Sequence, residues 1–269
     1  MTSASTRLAF GLVAAPDAKV LAAFDELAAW IRTHTDVDLE RRDAPTYQAL
    51  AASVRDGSSD VAWLPPVVYA WLAEAVTPLG SIARAGRTTY AAALVVRSDA
   101  KIASLEDLRG TRAGWVDPWS AAGYVVPRLE LARAGIDPTT LFRSEAFHGT
   151  HRAALLALAR GDCDVTGTYA HPRPDDETII EGSWSGMSDV DVRVLATFGS
   201  IPPDVIAVRR NLAPASYERA LESLRRVASD APDLLRSVFG GDALHEGVES
   251  GHDALRRAYE RATANGLFD

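Results

Sequence analysis

The sequence predicts an α/β chain of two lobes, each a mixed sheet flanked by helices, with a ligand cleft between the lobes. Three observations carry that expectation. Short apolar runs alternate with longer stretches of helical period. The alternation stops and restarts once along the chain, giving two similar halves and a helical C-terminal part. The 269 residues also suffice for two lobes of about 100 to 150 residues each.

The first half opens with a strand over Leu8 to Val13. After Pro16 and a cap at Asp17 comes a helix whose apolar positions Val20, Phe24, Leu27 and Ile31 recur at helical spacing. Val37 to Glu40 reads as a strand, Thr46 to Arg55 as a helix and Asp60 to Leu64 as a strand. Pro65 and Pro66 then open a helix through Ala75, as proline can at a first turn.

Tyr90 to Arg97 reads as a long buried strand. Ser104 to Asp107 has the S-x-x-D form of a capping box, opening a short helix that stops at Gly110. The second half then follows: strand Arg112 to Val116, helix Ser120 to Ala134, strand Arg143 to Phe147, helix Thr150 to Arg160, strand Asp164 to Thr168. His171 to Asp191 is rich in Pro, Gly, Ser and Asp and reads as an irregular insertion. Strands Arg193 to Phe198 and Asp204 to Arg209 follow, and the remainder is helical, ending in a helix from His252 to Ala264. On this reading residues 1–90 plus 199–269 form the first lobe and 91–198 the second, with two crossovers.

Composition removes several classes of function. An acidic chain of net charge −8 with no basic run disfavours nucleic-acid and anionic-membrane binding, which need clustered Lys and Arg. No window nears about 18 unbroken apolar residues, so no membrane insertion is expected. The lone Cys163 forbids an internal disulfide and fits no metal spacing, and Asp162 and Asp164 would raise its thiol pKa. The start lacks a charged n-region followed by an apolar run, so the expected location is cytoplasmic as written, or periplasmic or cell-surface if a leader was removed.

Four segments sit where loops leave the carboxyl ends of strands, the usual ligand position in such sheets. Residues 115–124, Trp-Val-Asp-Pro-Trp-Ser-Ala-Ala-Gly-Tyr, run from strand through loop into a helix start that suits an anion or polar head group. In this setting Ser120 is either a ligand donor or simply a helix cap. Phe147-His148-Gly149-Thr150-His151 is a weak metal signal, because no third ligand accompanies its two histidines, but a histidine at a helix start can donate to a ligand. Residues 60–69 bring Trp63, which could equally be core, and Tyr90 heads its strand.

These residues resemble a known family. Ser104 to Gly110, then Asp117-Pro118-x-Ser120-x-x-Gly123-Tyr124 with Pro127-Arg128, then Ala134 to Pro138, then Gly149-x-His151-x-x-Ala154 with Gly161-Asp162-x-Asp164-Val165, look like the phosphate/phosphite/phosphonate-binding branch of the type 2 periplasmic solute-binding proteins. Residues 60–69 and the turn Ile201-Pro202-Pro203-Asp204 fit the same pattern, so the resemblance covers most of residues 45–210. It implies a bilobed, monomeric protein that closes on a small molecule and hands it to an ABC transporter permease. It further implies that Tyr47 and Tyr90 are cleft tyrosines, Ser120 a hydroxyl at the anion-binding helix, His151 a ligand donor and Asp204 a carboxylate on the hinge side.

The departures bear on the ligand. Where the family usually has a run of Ser/Thr hydroxyls, this chain has Ala121 and Ala122, so a tetrahedral oxyanion loses two side-chain donors, each contributing about 1.5 to 3 kcal/mol. Trp119 stands where a small residue is common, and His171 or a neighbour where an acid often meets a ligand amine. With Trp63, Tyr90, Trp119 and Tyr169 around the cleft, a larger, less charged or aromatic ligand is expected. The function expected is therefore solute binding with an altered anion site, with no catalytic residue, cofactor or metal. The alternatives are a cytoplasmic enzyme on the same scaffold, using a cleft histidine as acid or base, and a ligand-gated regulatory domain.

Overall fold

The structure is a computed structural model and describes residues 5–13, 18–83, 86–172, 179–248 and 251–268. The chain forms two compact units, Met1–Thr88 with Pro202–His252, and Thr89–Ile201 with Asp253–Asp269. In chain order the first stretch contributes β1 (Thr6–Val13), α1 (Ala18–His34), β2 (Val37–Ala44), α2 (Tyr47–Arg55), β3 (Val61–Leu64), α3 (Pro66–Leu72) and β4 (Val76–Ala83). The second unit follows with β5 (Tyr90–Arg97), a 3₁₀ turn at Glu106–Leu108, β6 (Arg112–Trp115), and a π-helical turn at Ala121–Val125 that runs into α4 (Val126–Arg133). It continues with α5 (Pro138–Leu141), β7 (Ser144–Phe147), α6 (His151–Arg160), β8 (Val165–Pro172), β9 (Ile179–Gly182) and β10 (Val192–Ile201). The chain then returns through β11 (Val205–Arg209), α7 (Pro214–Asp230), α8 (Pro232–Phe239), β12 (Ala243–His245) and α9 (Gly251–Ala264).

The first unit is a six-stranded sheet in the order β12-β4-β11-β3-β1-β2, parallel from β3 to β2 and antiparallel at β11, β4 and β12. Its core forms because the 3.6-residue stripe of α1 lays Phe24, Leu27 and Ile31 on Phe10 and Leu8 of β1, while α7 and α8 add Leu224, Val227, Leu235 and Phe239. The Phe10 and Phe24 rings stand 5.1 Å apart. The expected cap at Asp17 lies outside the described residues. Two strands of this unit escaped the sequence reading. In β4, Pro78 and Gly80 argue against a strand, and the ladder admits them through an irregularity between the pairs Ile206–Gly80 and Ala207–Pro78. The other, β12, has only three residues and shows no alternation.

The second unit is a mixed sheet in the order β10-β5-β8-β6-β7, with β9 paired to β8. The helix expected after Ser104 shortens to one 3₁₀ turn, yet the Asp107 carboxylate still accepts the Ala103 and Ser104 amides at 2.8 and 2.9 Å. Those bonds, the Ala103 amide first, hold its pKa below the usual carboxylate range. The stretch expected to be irregular is partly strand, since β8 runs to Pro172 and β9 pairs with it; residues 173–178 lie outside the described ones.

Residues 253–269 belong to the second unit, not to the first as expected. The reason is visible in the buried guanidinium of Arg128. It donates to the Leu267 carbonyl from Nε and Nη2 at 3.0 and 2.8 Å and to Glu145 Oε2 from Nη1 at 2.6 Å. Phe268 also packs on Tyr124, with the rings 5.6 Å apart. Among the described residues no helix is long and apolar enough to cross a membrane.

Phe239 ties α8 to β1 and β3, with its ring 6.3 Å from Phe10 and 5.1 Å from Trp63. Phe239→Ala is expected to lower unfolding free energy by about 3 to 5 kcal/mol, read as a shift in the urea midpoint. A loss within about 0.5 kcal/mol would mean that this ring is not part of the core that holds the unit together.

Candidate functional site

The site grows from the end of β6. There Asp117 is buried, and its Oδ1 accepts the Trp119 amide at 2.8 Å while its carbonyl accepts the Ser120 amide at 2.9 Å. This aspartate turn swings Ser120 into the N-cap position, where Oγ accepts the Gly123 amide at 3.1 Å. The Ser120 carbonyl then takes the amides of Tyr124 and Val125, which opens the helix as a π turn. The first two helical amides, of Ala121 and Ala122, have no acceptor among the described residues, although both residues are only 2% exposed. Two buried, unpaired N–H groups at the positive end of a helix form an anion-binding arrangement.

Two glycines make this placement possible. A Cβ on Gly123 would lie 2.3 Å from Val116 Cγ2, and one on Gly167 of β8 would lie 3.1 Å from the Gly123 carbonyl. The helix start is thus seated directly against β8, and the next residues of that strand join the site. His151, first residue of α6, is set by the Thr150 cap, whose Oγ1 accepts the Ala153 amide at 3.0 Å. His151 Nδ1 is hydrogen-bonded to Thr168 Oγ1 at 2.8 Å, and Thr168 Oγ1 in turn to Ser183 Oγ. The His151 ring meets Tyr169 edge-on at 4.9 Å, His171 lies 5.6 Å from Tyr169, and Tyr90 lies 6.5 Å from His171.

Burial pushes the His151 pKa down to about 4, so the imidazole is neutral at pH 7. Neutral imidazole has one donor and one acceptor nitrogen, which makes it a hydrogen-bonding group and not a counter-charge. Burial also lowers the His148 pKa and leaves its Nε2 without a partner. The Cys163 thiol, pushed up to about 11 chiefly by burial, is protonated and inert. No group of three or more His, Cys, Asp or Glu that could hold a metal ion occurs among the described residues.

Of the residues singled out by sequence, Tyr90, Trp119, Ser120, Ala121, Ala122, His151 and Tyr169 fall in the second unit. Tyr47, Trp63 and Asp204 fall in the first. There Tyr47 opens α2 behind the Thr46 cap, Trp63 packs edge-on against Phe239, and Asp204 leads into β11. Pro203, before it, is held by His252, whose Nε2 donates to the Pro203 carbonyl at 2.8 Å. Sequence reasoning placed Asp117 in a candidate segment without giving it a role, and missed Gly167, Thr168 and Ser183. Asp-Pro after a strand is a turn signal that could have given the first its role, whereas the partners of His151 depend on strand register and leave no local trace.

The family model described as "ABC transporter, phosphonate, periplasmic substrate-binding protein" matches residues 10–250, and the chain belongs to that family. A curated relative, the phosphate-import protein PhnD of Mycolicibacterium smegmatis, is 27% identical over 172 residues, covering 60% of this chain and 53% of the relative. The match therefore spans about half the length of that relative. Among solved structures, a binding protein component of an ABC phosphonate transporter from Pseudomonas aeruginosa has a TM-score of 0.80 at 19% identity, covering 98% of this chain and 89% of that one. PhnD1 from Prochlorococcus marinus in complex with methylphosphonate has a TM-score of 0.78 at 12% identity, covering 96% and 98%. XAC2383 from Xanthomonas citri bound to ATP has a TM-score of 0.73 at 21% identity, covering 97% and 99%. These likenesses show the two-lobed periplasmic-binding-protein fold.

The depressed His151 pKa has a pH consequence. The unfolded chain binds a proton at the ordinary histidine pKa and the folded one only near 4, so stability is complete above about pH 6.5 and falls as the pH drops toward 4. Between pH 7 and pH 5 the loss assignable to this group is on the order of 2 kcal/mol. In chemical denaturation, His151→Asn is expected to flatten that part of the profile. An unchanged slope would show that the imidazole is not desolvated.

Proposed function

We propose that this family member binds an organophosphate or organophosphonate, with the anionic head on the Ala121 and Ala122 amides and the organic part along Tyr169, His171 and Tyr90. The observation that carries the reading is the pair of buried, unpaired amides beside Ser120. The helix start supplies a partial positive charge of roughly half a unit. His151 adds a neutral hydrogen bond, and none of the residues named in this group is a lysine or arginine. An oxyanion held only by dipoles gains less Coulomb energy than one facing a cation, so contacts to the rest of the ligand carry a larger share of affinity. The aromatic row is the surface available for them. ATP in one solved relative and methylphosphonate in another are in keeping with phosphoryl and phosphonyl ligands on this fold. Delivery to an ABC transporter permease outside the cytoplasm is part of this reading, and the description of the family as periplasmic substrate-binding proteins supports it.

Calorimetry with inorganic phosphate, methylphosphonate and ATP tests the reading. ATP is expected to bind at least about tenfold more tightly than methylphosphonate, a difference of about 1.4 kcal/mol. Saturation at about a hundred times Kd should raise stability by about 2.7 kcal/mol. His151→Ala should weaken binding about three- to tenfold. Methylphosphonate binding as tightly as ATP would remove the aromatic part of the proposal, and no binding of any of the three anions would remove the anion site.

A further inference from the structure

His151 is held by a chain of two hydroxyls that lies wholly in the second unit. Its Nδ1 is hydrogen-bonded to Thr168 Oγ1 at 2.8 Å, and Thr168 Oγ1 to Ser183 Oγ. Thr168 is fully buried on β8, and Ser183, just past β9, is kept beside that strand by its amide, which donates to the Tyr169 carbonyl at 3.3 Å. The other ring nitrogen, Nε2, has no partner among the described residues, and unlike Nε2 of His148 it is not shut in. α6 follows β7 and the π turn follows β6, and these strands are parallel, so both helix starts open at the same edge of the sheet. The ring is neutral at pH 7 and carries a single proton. The protons of the chain can run in two directions. In one, Ser183 donates to Thr168 and Thr168 to Nδ1, so both hydroxyl protons have acceptors and the ring proton sits on Nε2. In the reverse, Nδ1–H donates to Thr168 and Thr168 to Ser183, whose own proton then has no acceptor among the described residues, while Nε2 turns a lone pair outward. The first direction uses every hydroxyl proton within the fold and is the more stable.

We propose that Thr168 and Ser183 are positioning residues that set the tautomer of His151: the hydroxyl chain runs from Ser183 through Thr168 to Nδ1 and so keeps the ring proton on Nε2, where it can be donated to a ligand oxygen. The inference rests on the anion-site reading above only in assigning that N–H to a ligand. A histidine's second nitrogen decides which one carries the proton, and here the second nitrogen meets a hydroxyl whose own lone pair is already taken. Donors alone then line the head-group position: the Ala121 and Ala122 amides and Nε2–H. That arrangement suits oxygens that carry no proton, and an Nε2 lone pair in the same place would repel them.

The test reads the tautomer by nitrogen NMR of isotope-labelled histidine in the ligand-free protein, with the His151 signals assigned by their loss in His151→Asn. Nε2–H is expected to exceed Nδ1–H by at least about tenfold in the wild type. Thr168→Val keeps the side-chain shape and removes the hydroxyl, so the ratio should fall about fivefold, and Thr168→Ser should restore it. Ser183→Ala, at the partly exposed end of the chain, should lower the ratio about two- to threefold and serves if Thr168→Val does not fold. The affinity for whichever of methylphosphonate and ATP the wild type binds should fall about three- to tenfold in Thr168→Val and recover in Thr168→Ser. A predominantly Nδ1–H ring in the wild type, or a ratio that neither Thr168→Val nor Ser183→Ala changes, would overturn the positioning role even if anion binding is normal. A shifted tautomer with unchanged affinity would remove Nε2–H from the ligand site. The expected tautomer behaviour in a protein that binds none of inorganic phosphate, methylphosphonate and ATP would uphold the positioning role and overturn the ligand reading instead.

Discussion

The closeness of Gly123 to Gly167 is the constraint from which the second unit's site follows. With no side chain at either position, the first turn after β6 can rest its backbone on β8, where a methyl group would meet the Gly123 carbonyl at 3.1 Å. Real side chains rarely tolerate such contacts, so a larger residue would lift the helix start away from the sheet. Everything else is measured from that seat. The Ser120 cap consumes the Gly123 amide and leaves those of Ala121 and Ala122 unpaired, and the residues just past Gly167 on β8 are those that bond His151 and present Tyr169. One close approach thus sets the distance between the unpaired Ala121 and Ala122 amides and the aromatic row.

The proposed anion site is built from dipoles and a neutral imidazole. The chain carries a net charge of −8, so the average field repels anions, and an anion held as proposed would depend on short-range donors that act where water is excluded. Buried amides are suited to that role because their orientation is fixed by the helix and costs no reorganisation. A charged histidine would have added attraction, but its burial against Thr168 and Tyr169 keeps the imidazole neutral. On the proposed reading, preference comes from shape and hydrogen-bond geometry more than from charge.

Much of the fold was legible in the sequence because period and punctuation agreed. The stripe of Phe24, Leu27 and Ile31 announced α1, and the alternation of runs announced two α/β halves. β4 was hidden because Pro78 and Gly80 are poor strand residues unless a bulge receives them, and that depends on a partner strand far along the chain. The site was half legible. Ser120 and His151 stood at helix starts, where caps and donors are expected. The main-chain amides of Ala121 and Ala122, however, carry no sequence signal, since every residue but proline has one. Thr168 and Ser183 became partners of His151 only through the pairing of β8 with its neighbours, and Trp63 proved to pack on Phe239 because α8 crosses that face.

The C-terminal segment shows how a buried charge can specify arrangement without adding much stability. Isolating a guanidinium from water is costly, and a hydrophobic residue of like volume in place of Arg128 could stabilise the unit as well or better. Only the guanidinium, however, presents donors in a planar fork that binds one carbonyl and one carboxylate together. With Leu267 on one side and Glu145 on the other, Arg128 accepts one register of the returning chain and leaves its own charge unsatisfied in any other. That register sets Phe268 against both Tyr259 and Tyr124. The cost of burying the charge is therefore best understood as the cost of choosing this docking over its neighbours, and the choice is made within one helix of the amides that face the ligand site.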